Sequence, residues 1–241
     1  ELNIWRAPTD NDMYIKSEWK KAYYDKAYTR AYTTEVVQGK HGVKITSHAS
    51  VVAETVQKIL DVTITWKIEA AGKIDADIAV TKDDEFPDLP RFGVRMFLDK
   101  KLSAARYFGM GPQESYCDKH QAASHGLYHA NVDDLHEDYI RPQENGSHYD
   151  CEYVELNNSR YGIVLSAENA FSFNASYYTQ EELEKKTHNY ELTESDSVVF
   201  CVDYALNGIG SNSCGPVVLD QYRFDDVLFR FQFTLIPYVK G

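Results

Sequence analysis

Cysteine is scarce: only Cys117, Cys151, Cys201 and Cys214 occur in 241 residues, and no two stand at Cys-x-x-Cys spacing. A chain this long can bury a core without covalent staples, so reduced thiols are expected rather than a disulfide framework. No cysteine pair has zinc-ligand spacing, which disfavours a structural zinc site. Positive charge is also short, with 25 Lys and Arg against 37 Asp and Glu, a net charge of −12. That balance argues against nucleic acid and against an anionic membrane surface, both of which require a basic face. No apolar run approaches a membrane span. Repeats, low-complexity segments and a clear internal boundary are all missing, so residues 1–241 are expected to form one domain. The sequence begins with Glu1 rather than Met, which suggests a piece of a longer polypeptide whose targeting signal lies elsewhere.

What is present is a substantial core supply, with 43% hydrophobic residues and 18 tyrosines. Tyrosine offers a flat apolar face with a polar tip. Residues Tyr14–Ala27 read as a short helix, with Trp19, Tyr23 and Ala27 on one face. Beyond it the period becomes two. Strands are expected at Val43–Val52, Val56–Ala70 and Lys73–Lys82, with Gly72 turning the chain between the last two. An acidic, proline-containing loop, Asp83–Pro90, precedes a strand at Phe92–Leu98. The stretch from Tyr116 to Tyr149 carries five of the eight histidines and little alternation, so it reads as a long functional connection. Strands resume at Cys151–Leu156, Tyr161–Ala167, Phe171–Tyr178, Val198–Ala205 and Leu228–Pro237. Thr179-Gln180-Glu181-Glu182 reads as a capping box opening a second short helix through Lys186. Many strands with two minor helices predict an all-β sandwich.

Four segments carry more specific information. The first, Asn3-Ile4-Trp5-Arg6-Ala7-Pro8-Thr9-Asp10-Asn11-Asp12, gathers an aromatic, a guanidinium and two carboxylates around one proline, which fixes its own φ and interrupts any helix. The others are Gly109-Met110-Gly111-Pro112-Gln113-Glu114-Ser115-Tyr116, then Pro142-Gln143-Glu144-Asn145-Gly146, then Gly208-Ile209-Gly210 with a polar loop and Pro216 after it. In this order they resemble landmarks of the C-terminal domain of β-galactosidases of glycoside hydrolase family 2. The resemblance spans most of the chain. It implies a large antiparallel supersandwich of the galactose mutarotase type that packs over a TIM-barrel domain. It implies hydrolysis of terminal β-D-galactosides such as lactose by a cytoplasmic, homo-oligomeric parent. It also implies that the catalytic glutamates, Mg²⁺ and Na⁺ lie in that barrel, with no cofactor or metal here.

The same resemblance sets the site expectations. The loop after Gly208-Ile209-Gly210 supplies substrate contacts, and in well-known members it holds a tryptophan that stacks on sugar. Here the only tryptophans are Trp5, Trp19 and Trp66, so Asn212, Ser213 and Cys214 are the expected contacts, with Cys214 nearest the missing ring. Asp10, Asn11, Asp12 and a mobile loop at Met13, Tyr14 and Ile15 complete the expected sugar site, with Tyr14 where the family commonly has glycine. Glu114 and Glu144 share the tripeptide Pro-Gln-Glu and could pass for a catalytic pair. They are instead expected to be structural, each paired with Arg6, Arg106 or Arg141 or accepting backbone amides. Two other readings remain open. One is a free-standing mutarotase-like epimerase using a histidine among His120, His125, His129, His136 and His148 with a carboxylate. The other is a carbohydrate-binding module without chemistry.

Overall fold

The computed structural model describes residues 1–55 and 58–240. Twelve strands run through it: β1 (Leu2–Asn3), β2 (Tyr28–Gly39), β3 (Gly42–Val52), β4 (Leu60–Glu69), β5 (Ile74–Lys82), β6 (Arg91–Asp99), β7 (Ala104–Gly111), β8 (Ser124–Asn131), β9 (His148–Asn157), β10 (Tyr161–Ser176), β11 (Ser197–Leu206) and β12 (Leu228–Val239). All pairings are antiparallel. Two α-helices interrupt them, α1 (Ile15–Lys21) and α2 (Gln180–Lys185). The all-β expectation with two short helices therefore holds.

The local differences have physical causes. The helix expected over Tyr14–Ala27 ends at Lys21, because Tyr23 adopts a left-handed φ of 59° and only a 3-10 turn continues beyond it. The strand expected from Val56 begins at Leu60, and Val56 and Gln57 themselves lie outside the described residues. Three strands escape the alternation pattern. β2 is solvent-exposed along its whole length, so nothing enforces alternation there. β7 carries the glycine-rich motif, and β8 lies in the histidine-rich stretch read as a connection. Helix α2 starts as expected, with the Thr179 hydroxyl accepting from the Glu182 amide at 3.1 Å.

Strand β10 organises the sheet. One edge pairs with β9. The other edge pairs first with β12, at residues 161–166, and then with β11, at residues 172–176. Register breaks between Ser166 and Phe171 separate the two halves. The sheet thus forks into a wing β12-β5-β4-β3-β2 and a wing β11-β6-β1, while β9-β7-β8 extends the opposite side.

The wings fold onto each other. Phe92 of β6 meets Phe229 of β12 edge-on, with ring centroids 4.9 Å apart, and Tyr204 of β11 stacks on Phe229 at 4.9 Å. Phe231, Phe233, Ile78, Val62, Phe173 and Phe200 are buried in the same cluster. Each such side chain contributes about 1.5–3 kcal/mol on leaving water. This packing fixes one end of the sandwich, where the segment after β1 meets the segment after β11.

Candidate functional site

The opening motif is irregular because its polar groups are bound across the fold. The Arg6 guanidinium donates to both Asp12 oxygens, from Nε at 3.2 Å and from Nη2 at 2.8 Å, and both residues are fully buried. Arg6 also donates to the carbonyls of Asn207 and Gly208 in the loop after β11, and sits over the Trp19 ring at 5.1 Å. Burial opposes the Arg6 charge, but Asp12 outweighs it and leaves the pKa raised. Asp12 in turn accepts from the Thr9 amide at 2.8 Å and from the Ser211 hydroxyl. A planar, multi-donor guanidinium is suited to such a junction.

The other motifs meet the same segment. The Glu144 amide donates to the Ala7 carbonyl at 3.0 Å, and Gln143 Oε1 accepts from the Asp10 amide at 2.9 Å. Glu144 does not pair with Arg6, Arg106 or Arg141; its partner is Arg91, at 3.1 Å. Arg91 simultaneously grips buried Asp203 of β11, with Nε 3.0 Å from Oδ1. Burial raises the pKa of Glu144 and of Asp203, and Arg91 opposes that rise. Glu114, unlike Glu144, is held without arginine. Lys119 Nζ and the Tyr139 hydroxyl donate to one oxygen, and the Gly146 amide at 2.9 Å and the Tyr116 hydroxyl at 3.3 Å donate to the other. Both glutamates are thus bound within the fold: the arginine on Glu144 is Arg91 rather than those expected, while Glu114 takes Lys119 together with a backbone amide, the other arrangement expected.

Two further residues escaped the sequence reading. Asp118 accepts from the amides of Ile209, at 3.0 Å, and Gly210, at 2.7 Å, and so shapes the loop before Ser211. Asp203 lies within the apolar run of β11, where a lone carboxylate must have a cation nearby. That was the available signal for the Arg91 pair.

Beside these anchors opens a cavity of about 510 Å³, lined by Tyr14, Ile15, Asn207, Ser211, Asn212 and Val217 among others. Its size suits a small ligand. Tyr14 is exposed at its mouth, and Asn212 takes a left-handed φ of 84°. The Ser213 hydroxyl donates to Asn11 Oδ1 at 3.1 Å, tying the two expected loops together. Cys214 is exposed. Of the expected contacts, Tyr14 and Asn212 line the cavity, Asn11 and Ser213 lie next to it, and Asp10 is engaged with Gln143 at 3.3 Å. Asp12 differs: buried, with both oxygens occupied, it holds the loops together rather than facing a ligand. No histidine lines this cavity. His148 is packed against Tyr107 and Phe173, and burial lowers its pKa to about 4. Among the described residues no cluster of His, Cys, Asp and Glu could hold a metal ion, and no helix is long and apolar enough to cross a membrane.

A sequence profile described as beta-galactosidase small chain matches residues 1–235. The chain belongs to the β-galactosidase small-chain family. Among curated β-galactosidases, that of Actinobacillus pleuropneumoniae is 48% identical over 98% of this chain, and that of Staphylococcus xylosus is 36% identical over 97%. A β-galactosidase from Kluyveromyces lactis is 31% identical over 97%. This small-chain sequence spans only 23% of the length of each of these relatives. Among solved structures, galactose 1-epimerase from Lactobacillus acidophilus is similar at a TM-score of 0.47 and 8% identity, over 89% of this chain and 67% of that one, a likeness too loose to carry weight.

Proposed function

We propose that this chain is the C-terminal part of a retaining β-galactosidase that cleaves terminal β-D-galactosides such as lactose. The two catalytic carboxylates belong to a barrel domain outside this sequence. So do the Mg²⁺ and Na⁺ of the assembled, homo-oligomeric, cytoplasmic enzyme. The small-chain domain covers the barrel mouth and supplies polar contacts to the sugar from the Tyr14–Asn212 cavity. One observation carries this reading: Asp12 and Asn11 cross-link to Ser211 and Ser213, so both expected sugar loops are held at one cavity. A cavity built from two cross-linked loops is pre-organised to receive a ligand.

In the assembled enzyme, Asn212→Ala is expected to raise KM with kcat nearly unchanged, by a hydrogen bond's worth of about 1 kcal/mol, or roughly fivefold. Cys214→Trp is expected to lower KM by roughly threefold to tenfold, through stacking. Unchanged kinetics in both variants would remove the cavity from the sugar site. Hydrolysis of a chromogenic β-galactoside by this chain alone would overturn the division of labour.

A further inference from the structure

A second cavity, of about 330 Å³, opens beside the first, and Arg223 borders both. Its floor is apolar, with Phe171 and Phe224 each 2% exposed. Three half-buried tyrosines, Tyr149, Tyr204 and Tyr222, wall it. Two of these rings are held from behind. Tyr204 stacks on Phe229 with an interplanar angle of 16°, and Tyr149 stacks on His120 at 28°. Tyr204 also packs against Phe224, at 5.9 Å, and both rings line the cavity.

The rim is polar and weakly engaged. Among the described residues, the Gln221 side chain has no hydrogen-bond partner. Asp226 meets only the Tyr204 hydroxyl, at 3.5 Å. The Asp150 carboxylate lies 3.9 Å from His125 Nε2. Asp150 itself sits at a left-handed φ of 54°, a conformation aspartate tolerates better than most residues. Glu114, by contrast, takes four donors and has no capacity left over.

This combination selects for one chemistry. Tyrosine faces desolvate together with the C–H face of a sugar ring, and carboxylates accept from its hydroxyls. Two rim carboxylates, Asp150 and Asp226, disfavour anionic ligands, because the Arg223 guanidinium on the same cavity is already paired with Asp88. An alkylammonium would suit the rings and the carboxylates but leave the donors of Gln221, Tyr149 and Tyr222 unused. We propose that this cleft is a second saccharide site, holding a neutral sugar ring against Tyr149, Tyr204 and Tyr222 with its hydroxyls donated to Asp150 and Asp226. The choice of a sugar rests on the galactoside reading above, whereas the cleft's geometry is independent of it.

The test is calorimetric titration of the 241-residue chain with lactose, each variant first shown by circular dichroism to be folded. Saturable binding is expected, about threefold to tenfold weaker in Tyr222→Ala and at least as weak in Asp150→Asn. Lys44→Ala, on β3 outside both cavities, should leave it unchanged. Three results would each overturn the second site. They are no lactose binding by the folded chain, binding that Tyr222→Ala and Asp150→Asn leave intact, and displacement of lactose by tetramethylammonium. Weakening by Asn212→Ala alone would place the sugar in the first cavity, sinking this proposal and leaving the galactosidase reading standing. That reading fails separately, through the hydrolysis and KM measurements on the assembled enzyme.

Discussion

Replacing Asp12 by alanine strips the fully buried Arg6 guanidinium of its only side-chain acceptor among the described residues and leaves it the two carbonyls of Asn207 and Gly208. The Thr9 amide and the Ser211 hydroxyl lose their acceptor at the same time. Breaking one side of a buried ion pair costs about 3–5 kcal/mol, because the surviving charge stays out of water. For a chain of this size each kcal/mol lowers Tm by about 2–4 °C, so Asp12→Ala should melt about 6–20 °C below the parent. Removing both partners, as Arg6→Met with Asp12→Leu, should cost less than Asp12→Ala alone, since no orphan charge remains. Urea unfolding monitored by tryptophan fluorescence reads the region directly, because Trp19 lies under Arg6 and Trp5 lies 6.2 Å from Trp19. A loss below about 1 kcal/mol in Asp12→Ala, or a double variant less stable than the single, would refute the junction's role.

The pKa of His148 is lowered to about 4 from an ordinary 6.5, so between these values the unfolded chain binds a proton that the folded one refuses. Stability should therefore fall as pH drops from about 6.5 to about 4, by up to about 3 kcal/mol, and His148→Phe should flatten the upper part of that limb in pH-dependent urea titrations. Burial pushes the thiols of Cys117 to about 11 and Cys201 to about 12, and that of Cys151 higher still, whereas Cys214 is exposed. A thiol reagent should accordingly modify Cys214 rapidly in the native chain and the other three only after denaturation; native modification of Cys151 would contradict the packing.

Strands whose two faces differ in burial were legible. In β4 the alternation of Leu60, Val62, Ile64 and Trp66 reflects a face that packs on the core. β2 was illegible for the opposite reason: water on both faces removes the selection that writes alternation. The motifs announced where chemistry or architecture concentrates, yet not which partners they take. Glu144 finds Arg91 from 53 positions away, and Arg91 finds Asp203 from 112 away. Such pairings depend on how β6 and β11 register, which no local spacing records. Tyr14 and Asn212 were named from the resemblance, and the Arg6–Asp12 junction is one of the ties between the two segments that line their shared cavity.

The placement of β12 bears on how this protein is made. The final strand is inserted between β5 and β10, in the middle of a wing rather than at its rim. As the chain leaves the ribosome, the meander β2–β5 is complete early but has no neighbour on the β5 side. Ile78 and Val80 must wait for Phe229 and Phe231, which arrive about 150 residues later. Until then an apolar surface and an open strand edge face the surroundings. In a chain synthesised from its N-terminus, that edge of β5 therefore stays without its native partner until Leu228 and the residues after it have been made.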